Sequence, residues 1–304
     1  MDEAYIVVIG SMNYDVLFKQ QRLPMKGETY TADSVSFCGG GKGANQAVQC
    51  AKLGVKTYMV AKTGEDSFGE FLRGELNKFG VDTTYVAKSE RSTGFASVNA
   101  LTDGSVHATI TEGANGDFTT ADIDALDELI KKSAAVVLQL EIPVPVVEYI
   151  IEKAAGYGVY VLLNAAPAKP IREEVLKKVN CLVVNEPEST FYAGVTISDK
   201  ASAEANYRQL LSKVGETLVI TLGKYGSLLC EAEGTTYFPA DNSVKVIETT
   251  GAGDSYIGAF AVQKVRGKSN KEACTYASRV SQVTVTKIGA QPAMPTLAEL
   301  GEVQ

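Results

Sequence analysis

Hydrophobic positions along this chain follow two alternating rhythms. Tyr5–Ile9 is an unbroken apolar run and reads as a strand. In residues 44–53, Ala44, Ala47, Val48 and Ala51 recur at helical spacing, the pattern of an amphipathic helix. Residues 57–61 read as strand. Residues 68–79 read as helix, with Phe68, Phe71, Leu72, Leu76 and Phe79 on one side. Ile123, Leu126, Leu129 and Ile130 repeat the helical spacing. Four further buried strands are expected at residues 135–140, 159–163, Cys181–Val184 and 218–222, most of them separated by helical segments. Uninterrupted apolar strands between helices predict an α/β fold, a central and mostly parallel sheet with helices on both faces.

The expected strands hand over to Glu141, Asn164, Asn185 and Gly223. Any one strand can stop at a polar residue without functional meaning. Four that do so at one edge point to a site, because open parallel sheets bind ligands at the carboxyl ends of their strands. Two stretches break the α/β rhythm. Residues 12–37 show no helical face, and residues 93–110 read as a hairpin turning at Asp103-Gly104. Together, segments at about 12–38 and 92–111 are expected to form a small β lid inserted in a single α/β domain spanning residues 1–304.

Composition narrows the functional classes. The chain has 304 residues, with 36 Asp and Glu against 29 Lys and Arg, a net charge of −7. That sign argues against a broad nucleic-acid face or an anionic membrane surface. No apolar run approaches the roughly 20 residues of a membrane-spanning helix, and the acidic start Met1-Asp2-Glu3 does not resemble a signal peptide. The five cysteines, Cys38, Cys50, Cys181, Cys230 and Cys274, form no Cys-x-x-Cys pair. Reduced thiols, a cytoplasmic setting and no zinc site are the expectation. His107 is the single histidine, expected on the lid without a catalytic part.

Two glycine-rich segments carry candidate chemistry. The later one, Thr249-Thr250-Gly251-Ala252-Gly253-Asp254, leads into an amphipathic helix. Backbone N–H groups in a first helical turn have no intrahelical partner, and the helix dipole adds positive potential, so this turn is a cradle for an anion. A carboxylate there would repel a phosphate. It fits instead as a base that takes the proton from a hydroxyl attacking that phosphate. Asp254 as a mere helix cap is the alternative. The earlier segment, Gly39-Gly40-Gly41-Lys42-Gly43-Ala44-Asn45, lacks the Gly-x-x-x-x-Gly-Lys frame of a phosphate loop. No strand is expected before it, so it is no dinucleotide fingerprint either. It reads as a turn whose glycines let a ligand lie on the backbone while Lys42 and Asn45 face it.

Taken together, Gly40-Gly41-Lys42-Gly43-Ala44-Asn45 and Thr249-Thr250-Gly251-Ala252-Gly253-Asp254, with Asn185-Glu186-Pro187-Glu188 between them, resemble the signatures of the ribokinase-like (PfkB) carbohydrate kinases. The resemblance runs from the first strand to Gly289-Ala290-Gln291-Pro292 and is nearest to the members that phosphorylate ribose. It implies ATP-dependent phosphorylation of the primary hydroxyl of a free sugar, D-ribose to ribose 5-phosphate. A nucleoside or a ketose such as fructose is the alternative substrate, and a non-catalytic sugar or nucleotide sensor is the alternative class.

The resemblance also implies residue roles. Asn13, Asp15, Gly40, Gly41, Lys42, Asn45, Glu141 and Asp254 would contact the sugar. Asp254 would be the base, with the amides of Gly251, Ala252 and Gly253 around the transferring group. Asn185, Thr221, Gly223, Gly226, Gly253 and Ser278 would line the nucleotide side. Glu188 would reach Mg2+ through water. Glu248, Thr250, Ile288 and Gly289 would hold a monovalent cation such as K+, although Glu248 stands where the family often has the shorter Asp. A homodimer joined through the lid strands is implied as well. The side-chain chemistry agrees: a neutral sugar is best gripped by directional donors and acceptors, and Lys42 is the one cation beside it, too few for a phosphorylated sugar.

Overall fold

The computed structural model describes residues 4–302 apart from 103 and 104. In chain order the strands are β1 (Tyr5–Ile9), β2 (Asn13–Gln20), β3 (Ser34–Gly40), β4 (Lys56–Gly64), β5 (Asp82–Ser89), β6 (Gly94–Leu101), β7 (Val106–Thr111), β8 (Ala135–Leu138), β9 (Tyr160–Asn164), β10 (Cys181–Val184), β11 (Thr217–Thr221), β12 (Ser227–Glu231) and β13 (Gly234–Phe238). The α-helices are α1 (Lys42–Lys52), α2 (Ser67–Lys78), α3 (Thr120–Asp124), α4 (Asp127–Lys131), α5 (Val144–Gly156), α6 (Glu173–Leu176), α7 (Glu186–Ala193), α8 (Lys200–Leu211), α9 (Ala252–Val265) and α10 (Asn270–Thr284).

The described residues form a nine-stranded sheet in the order β13-β12-β11-β10-β9-β8-β1-β4-β5. From β5 to β11 every neighbouring pair is parallel. The hairpin β12–β13 adds an antiparallel edge. The chain runs outward from β1 in one direction through β4 and β5, and in the other through β8 to β11. The switch point therefore lies between β1 and β8, where such sheets open a crevice beyond their strand ends.

Strand alternation divides the core in two. Val7, Ile9, Val136, Leu138, Val161 and Leu163 pack toward α5. Ile6, Val8, Ala135, Val137 and Leu162 pack toward α1, α9 and α10. Both faces of the strands are thus buried, which is why their sequences read as continuous apolar runs.

A second, four-stranded sheet has the order β3-β2-β6-β7. It docks on α2 through an aromatic cluster, with the Tyr14 ring 4.4 Å from that of Phe68 and 5.3 Å from that of Phe71. β6 and β7 pair antiparallel as the hairpin reading requires, while its turn at Asp103-Gly104 lies outside the described residues.

Several expectations shift. The strand expected at 135–140 ends at Leu138, and the one at 159–163 slides to Tyr160–Asn164, so Asn164 is its last residue. The helical run around Ile123–Ile130 is broken into α3 and α4. β5 and β13 went unrecognised because their half-exposed positions hold Asp, Thr and Lys rather than an apolar run. The glycine-rich segment at 39–45 does follow a strand: β3 ends at Gly40 and α1 begins two residues later.

Helices α1 and α9 cross closely at Gly258. A Cβ there would lie 2.7 Å from the Gln49 Cβ and 2.9 Å from the Gln46 carbonyl oxygen, and the Cys50 thiol reaches the Gly258 carbonyl at 3.5 Å. Gly258→Ala should therefore force the helices apart. Overpacking of this kind costs about 1–3 kcal/mol, to be read by urea denaturation. A change below about 0.5 kcal/mol would contradict the tight crossing.

Candidate active site at the strand ends

Helix α9 begins at Gly251, whose φ of 77° suits glycine. Asp254 is its third residue and is buried. No side chain caps this helix, so Asp254 is not a helix cap. Its carboxylate points to α1 instead: Oδ2 accepts from Asn45 Nδ2 and Oδ1 from Gln46 Nε2, each at 2.9 Å. Asn45 is oriented in turn by Gln291, whose Nε2 donates to Asn45 Oδ1 at 3.1 Å. Burial raises the pKa of Asp254, opposed by the charge of Lys42 and by the two amide donors, with Glu141 adding to the rise. The Ala252 N–H goes to the Thr249 carbonyl at 3.1 Å, which withdraws it from the anion cradle expected over residues 251–254. Gly253 and Asp254 remain at helix positions whose N–H groups have no acceptor within the helix. A Cβ at Gly253 would meet nothing within 4 Å, so there is open space beside it.

Glu141 lies just beyond β8 at the switch point. Its Oε2 accepts from Ser11 Oγ at 2.5 Å and from the Lys42 N–H at 3.0 Å. It thereby closes the N-terminus of α1, and Ser11 Oγ also accepts from the Gly43 N–H at 3.3 Å. Burial lowers the pKa of the Lys42 ammonium, but the carboxylates of Asp254, Glu141 and Glu188 outweigh it and the net shift is upward. Lys42 is thus a half-buried cation within electrostatic reach of three acids rather than an isolated surface charge.

Asn13 and Asp15 stand at the start of β2, on the same face of the small sheet. Asn13 Oδ1 accepts from Asn115 Nδ2 at 2.7 Å, and Asn115 Oδ1 accepts from the Met12 N–H at 2.9 Å. Asp15 is desolvated and faces Glu141, and both effects raise its pKa, to about 7. Among the described residues its buried Oδ1 has no hydrogen-bond partner. Gly40 and Gly41 pair with this strand, not with open space. A Cβ on Gly40 would fall 2.0 Å from Asp15 Oδ2, and Gly41, at φ 88°, would place one 2.9 Å from the Asn13 nitrogen. The close approach that demands glycine here is by the chain's own β2, so both glycines lie directly beside Asn13 and Asp15.

The Asn185-x-x-Glu188 motif is a reciprocal capping box on α7. Asn185 Oδ1 accepts from the Glu188 N–H at 3.0 Å, and Glu188 Oε2 accepts from the Asn185 N–H at 2.9 Å. Burial raises the Glu188 pKa, opposed by the Asn185 N–H and by Lys42. Thr221 ends β11 and donates its hydroxyl to the Val184 carbonyl at 3.4 Å. Gly223 opens the short turn after β11. Gly226 is explained by packing, since a Cβ would sit 2.0 Å from the Phe238 carbonyl oxygen. On α10 the side chain that touches the α9 turn is Ser281, which donates to the Ala252 carbonyl at 3.0 Å. Ser278 sits half-buried one turn earlier. Glu248 Oε2 accepts from the Gly289 N–H at 2.9 Å, and the Ile247 N–H meets the Val285 carbonyl at 2.8 Å. The loops carrying Glu248, Thr250, Ile288 and Gly289 therefore adjoin. Thr250 and Ile288 are exposed.

Sequence reasoning overlooked Ser11, Gln46, Asn115 and Gln139, all fully or almost fully buried. Gln46 and Gln49 flanking Ala47 and Val48 in α1 were the available signal, because buried amides need partners. The five cysteines are free thiols, His107 is exposed on β7, and no described helix is long and apolar enough to cross a membrane.

A family model described as pfkB family carbohydrate kinase matches residues 3–297. The chain is 33% identical over 301 residues to the ribokinase of Staphylococcus aureus, covering 98% of this chain and 99% of that protein. It is 34% identical over 299 residues to the deoxyribokinase of Salmonella typhi, covering 98% and 97%. The fold superposes with a TM-score of 0.93 on the structure of Arabidopsis thaliana ribokinase complexed with ribose and ATP, at 31% identity, covering 98% of this chain and 97% of that one.

A neutral polyol that donates a hydroxyl to Asp15 needs the carboxylate ionised. With a pKa near 7 in the free protein, Asp15 is protonated below that pH, and the ligand must displace a proton. Affinity measured calorimetrically should fall by about tenfold per pH unit below 7 and level off above it. Asp15→Asn should flatten that slope. A flat profile in the unaltered protein would remove Asp15 from the binding set.

Proposed function

The chain belongs to the pfkB family of carbohydrate kinases, and we propose that it transfers the γ-phosphoryl group of ATP to the primary hydroxyl of D-ribose, giving ribose 5-phosphate. The observation that supports this reading is the grouping beyond the ends of β1 and β8 of Asp254, Lys42, Glu141 and Asp15, near enough to shift one another's ionisation. The ribokinase relative of Staphylococcus aureus and the ribose- and ATP-bound Arabidopsis structure support ribose and ATP as the pair.

The chemistry follows from the geometry. Asn13, Asp15, Asn45 and Glu141 present acceptors and donors to a sugar without charge. Asp254, placed at the mouth of the α9 cradle, takes the proton from the attacking hydroxyl, and the raised pKa of a buried carboxylate makes it a better base than one in water. The N–H groups of Gly253 and Asp254 and the α9 dipole face the charge that builds on the transferring group. Lys42 offsets part of the negative charge of the surrounding acids. Mg2+ carried by the nucleotide phosphates fits Glu188, which keeps one carboxylate oxygen outside its capping box, and one or two carboxylates are what such an ion takes from a protein. A K+ site on the adjoining Glu248 and Gly289 loops fits carbonyl donors there, with Glu248 already sharing one oxygen with the Gly289 N–H.

The reading extends to a cytoplasmic homodimer. Val35 and Phe37, two residues apart on one face of β3, are 47% and 56% exposed, and a second copy laid on that face would cover them. Phe37→Asp should then convert a dimer to a monomer in sedimentation equilibrium, and a monomeric parent protein would end this part of the reading. A second substrate, deoxyribose, is favoured by the deoxyribokinase relative.

Asp254→Asn should lower kcat by about 10²–10⁴-fold with the ribose KM changed only a few-fold. ATP consumption over ribose, deoxyribose, fructose, adenosine and uridine, with and without potassium and with the divalent ion chelated, tests the substrate and the ions. Ribose turned over no better than fructose or adenosine would overturn the assignment. Deoxyribose preferred over ribose would select the second reading.

A further inference from the structure

Behind Asp254 stands a chain of buried amides that the reaction as described does not use. An ionised carboxylate only accepts hydrogen bonds, so the group facing Asp254 Oδ1 must donate. Gln46 Nε2 does so at 2.9 Å, and it also reaches Asn164 Oδ1 at 3.2 Å. Gln46 Oε1 is then left to accept, and Gln139 Nε2 donates to it at 2.6 Å. The direction of every bond in the series is set by the carboxylate at its end. Gln46 and Gln139 are 0% exposed whereas Asp254 is 9% exposed, so a ligand that reaches Asp254 finds no surface of either amide to touch. Gln139 also carries a cost. Its Oε1 is buried with no hydrogen-bond partner among the described residues, which an apolar side chain of similar size would avoid.

We propose that Gln46, locked in its donating orientation by Gln139, is a positioning residue that fixes the plane of the Asp254 carboxylate toward the acceptor hydroxyl. The proposal rests on the reading of Asp254 as the base. Asp254 is faced by Lys42 of α1, Glu141 beyond β8 and Glu188 of α7, and all three stay in place when the amides are changed. Removing a donor from the charged form raises its pKa, so the acid limb of kcat moves to higher pH. Gln139 acts one bond further away and its loss has the smaller effect in the same direction.

Gln46→Met and Gln139→Met keep the side-chain length and remove the donors. For Gln46→Met the expected result is a kcat lowered by about tenfold at neutral pH, an acid limb displaced upward, and a ribose KM within about threefold of the parent value. An acid limb at its original position in both folded variants, whatever the loss of kcat, overturns the proposal, because a structural defect alone would not move that limb. Asp254→Asn assayed in parallel separates the two layers: turnover retained there overturns the base and the positioning together, whereas turnover lost there with an unmoved limb in Gln46→Met overturns the positioning alone. Should neither amide variant fold, the side-chain amide resonances of Gln46 in the unaltered protein decide. A shift with pH at the midpoint of the acid limb supports the proposal, and a pH-invariant resonance overturns it.

Discussion

A carboxylate on one helix held by two amides on another is the interaction on which the rest of this molecule depends. Asp254 opens α9, and Asn45 and Gln46 lie in the first turn of α1, separated from it by 209 and 208 residues of sequence. Neither helix is capped at its start by a side chain of its own. Instead α1 is closed by Glu141 and Ser11 from the ends of β8 and β1, while α9 keeps its first turn turned toward the crevice. The fold and the chemistry thus share their contacts. The Gly258 crossing that packs the two helices also sets how far the Asn45 and Gln46 amides stand from Asp254.

Charge decides how such a site can bind a polyanion. Glu141, Glu188 and Asp254 lie within electrostatic reach of one ammonium, Lys42, and Asp15 faces Glu141, an arrangement that would repel nucleotide phosphates if all four acids were ionised and exposed. Three features relieve it. Burial and the facing Glu141 raise the pKa of Asp15 to about 7. Glu141 and Glu188 spend oxygens on helix N-termini, where negative charge is stabilised. The α9 amides then supply positive potential that no acidic side chain neutralises directly, since the Asp254 carboxylate leans away from its own helix end toward α1.

How much of this the sequence disclosed follows the physics of each part. The parallel sheet was legible because strands buried on both faces leave continuous apolar runs. β5 and β13 were not, because half-exposed strands carry Thr, Asp and Lys and resemble loops, and β12, though buried, is only five residues long with Ser227 and Glu231 at its ends. Asp254, Lys42, Asn45 and Glu141 were proposed through glycine-rich signatures and strand ends, and the fold places Asp254 beside Asn45 and Glu141 beside the Lys42 N–H. Gln46, Gln139, Ser11 and Asn115 were missed because a lone buried amide or hydroxyl leaves no periodic mark. Its meaning appears only when a partner more than ninety residues away is in place. Gly40 and Gly41 were singled out as a bend in which a ligand could lie on the backbone, and the direction a side chain would take from each is filled by Asp15 and Asn13, a reason for glycine that the sequence does not disclose.

That last contact explains why the small sheet is joined to the crevice and not merely placed over it. β2 leaves the main sheet just beyond β1 and carries Asn13 and Asp15 in its first three residues. β3 returns antiparallel beside it, with Gly40 paired to Asn13, and runs directly into α1. Asn115, from the turn after β7, fastens the Met12 and Asn13 positions. The residues that would grip a sugar are therefore the residues at which one sheet passes into the other. A ligand bound there touches both sheets at once, and the free energy of its hydrogen bonds acts across the junction. Any displacement of the small sheet relative to the main one must move Asp15 relative to Asp254, so on the proposed roles of these two carboxylates the grip on a sugar and the placement of the base would be coupled by chain connectivity alone, without a separate transmitting element.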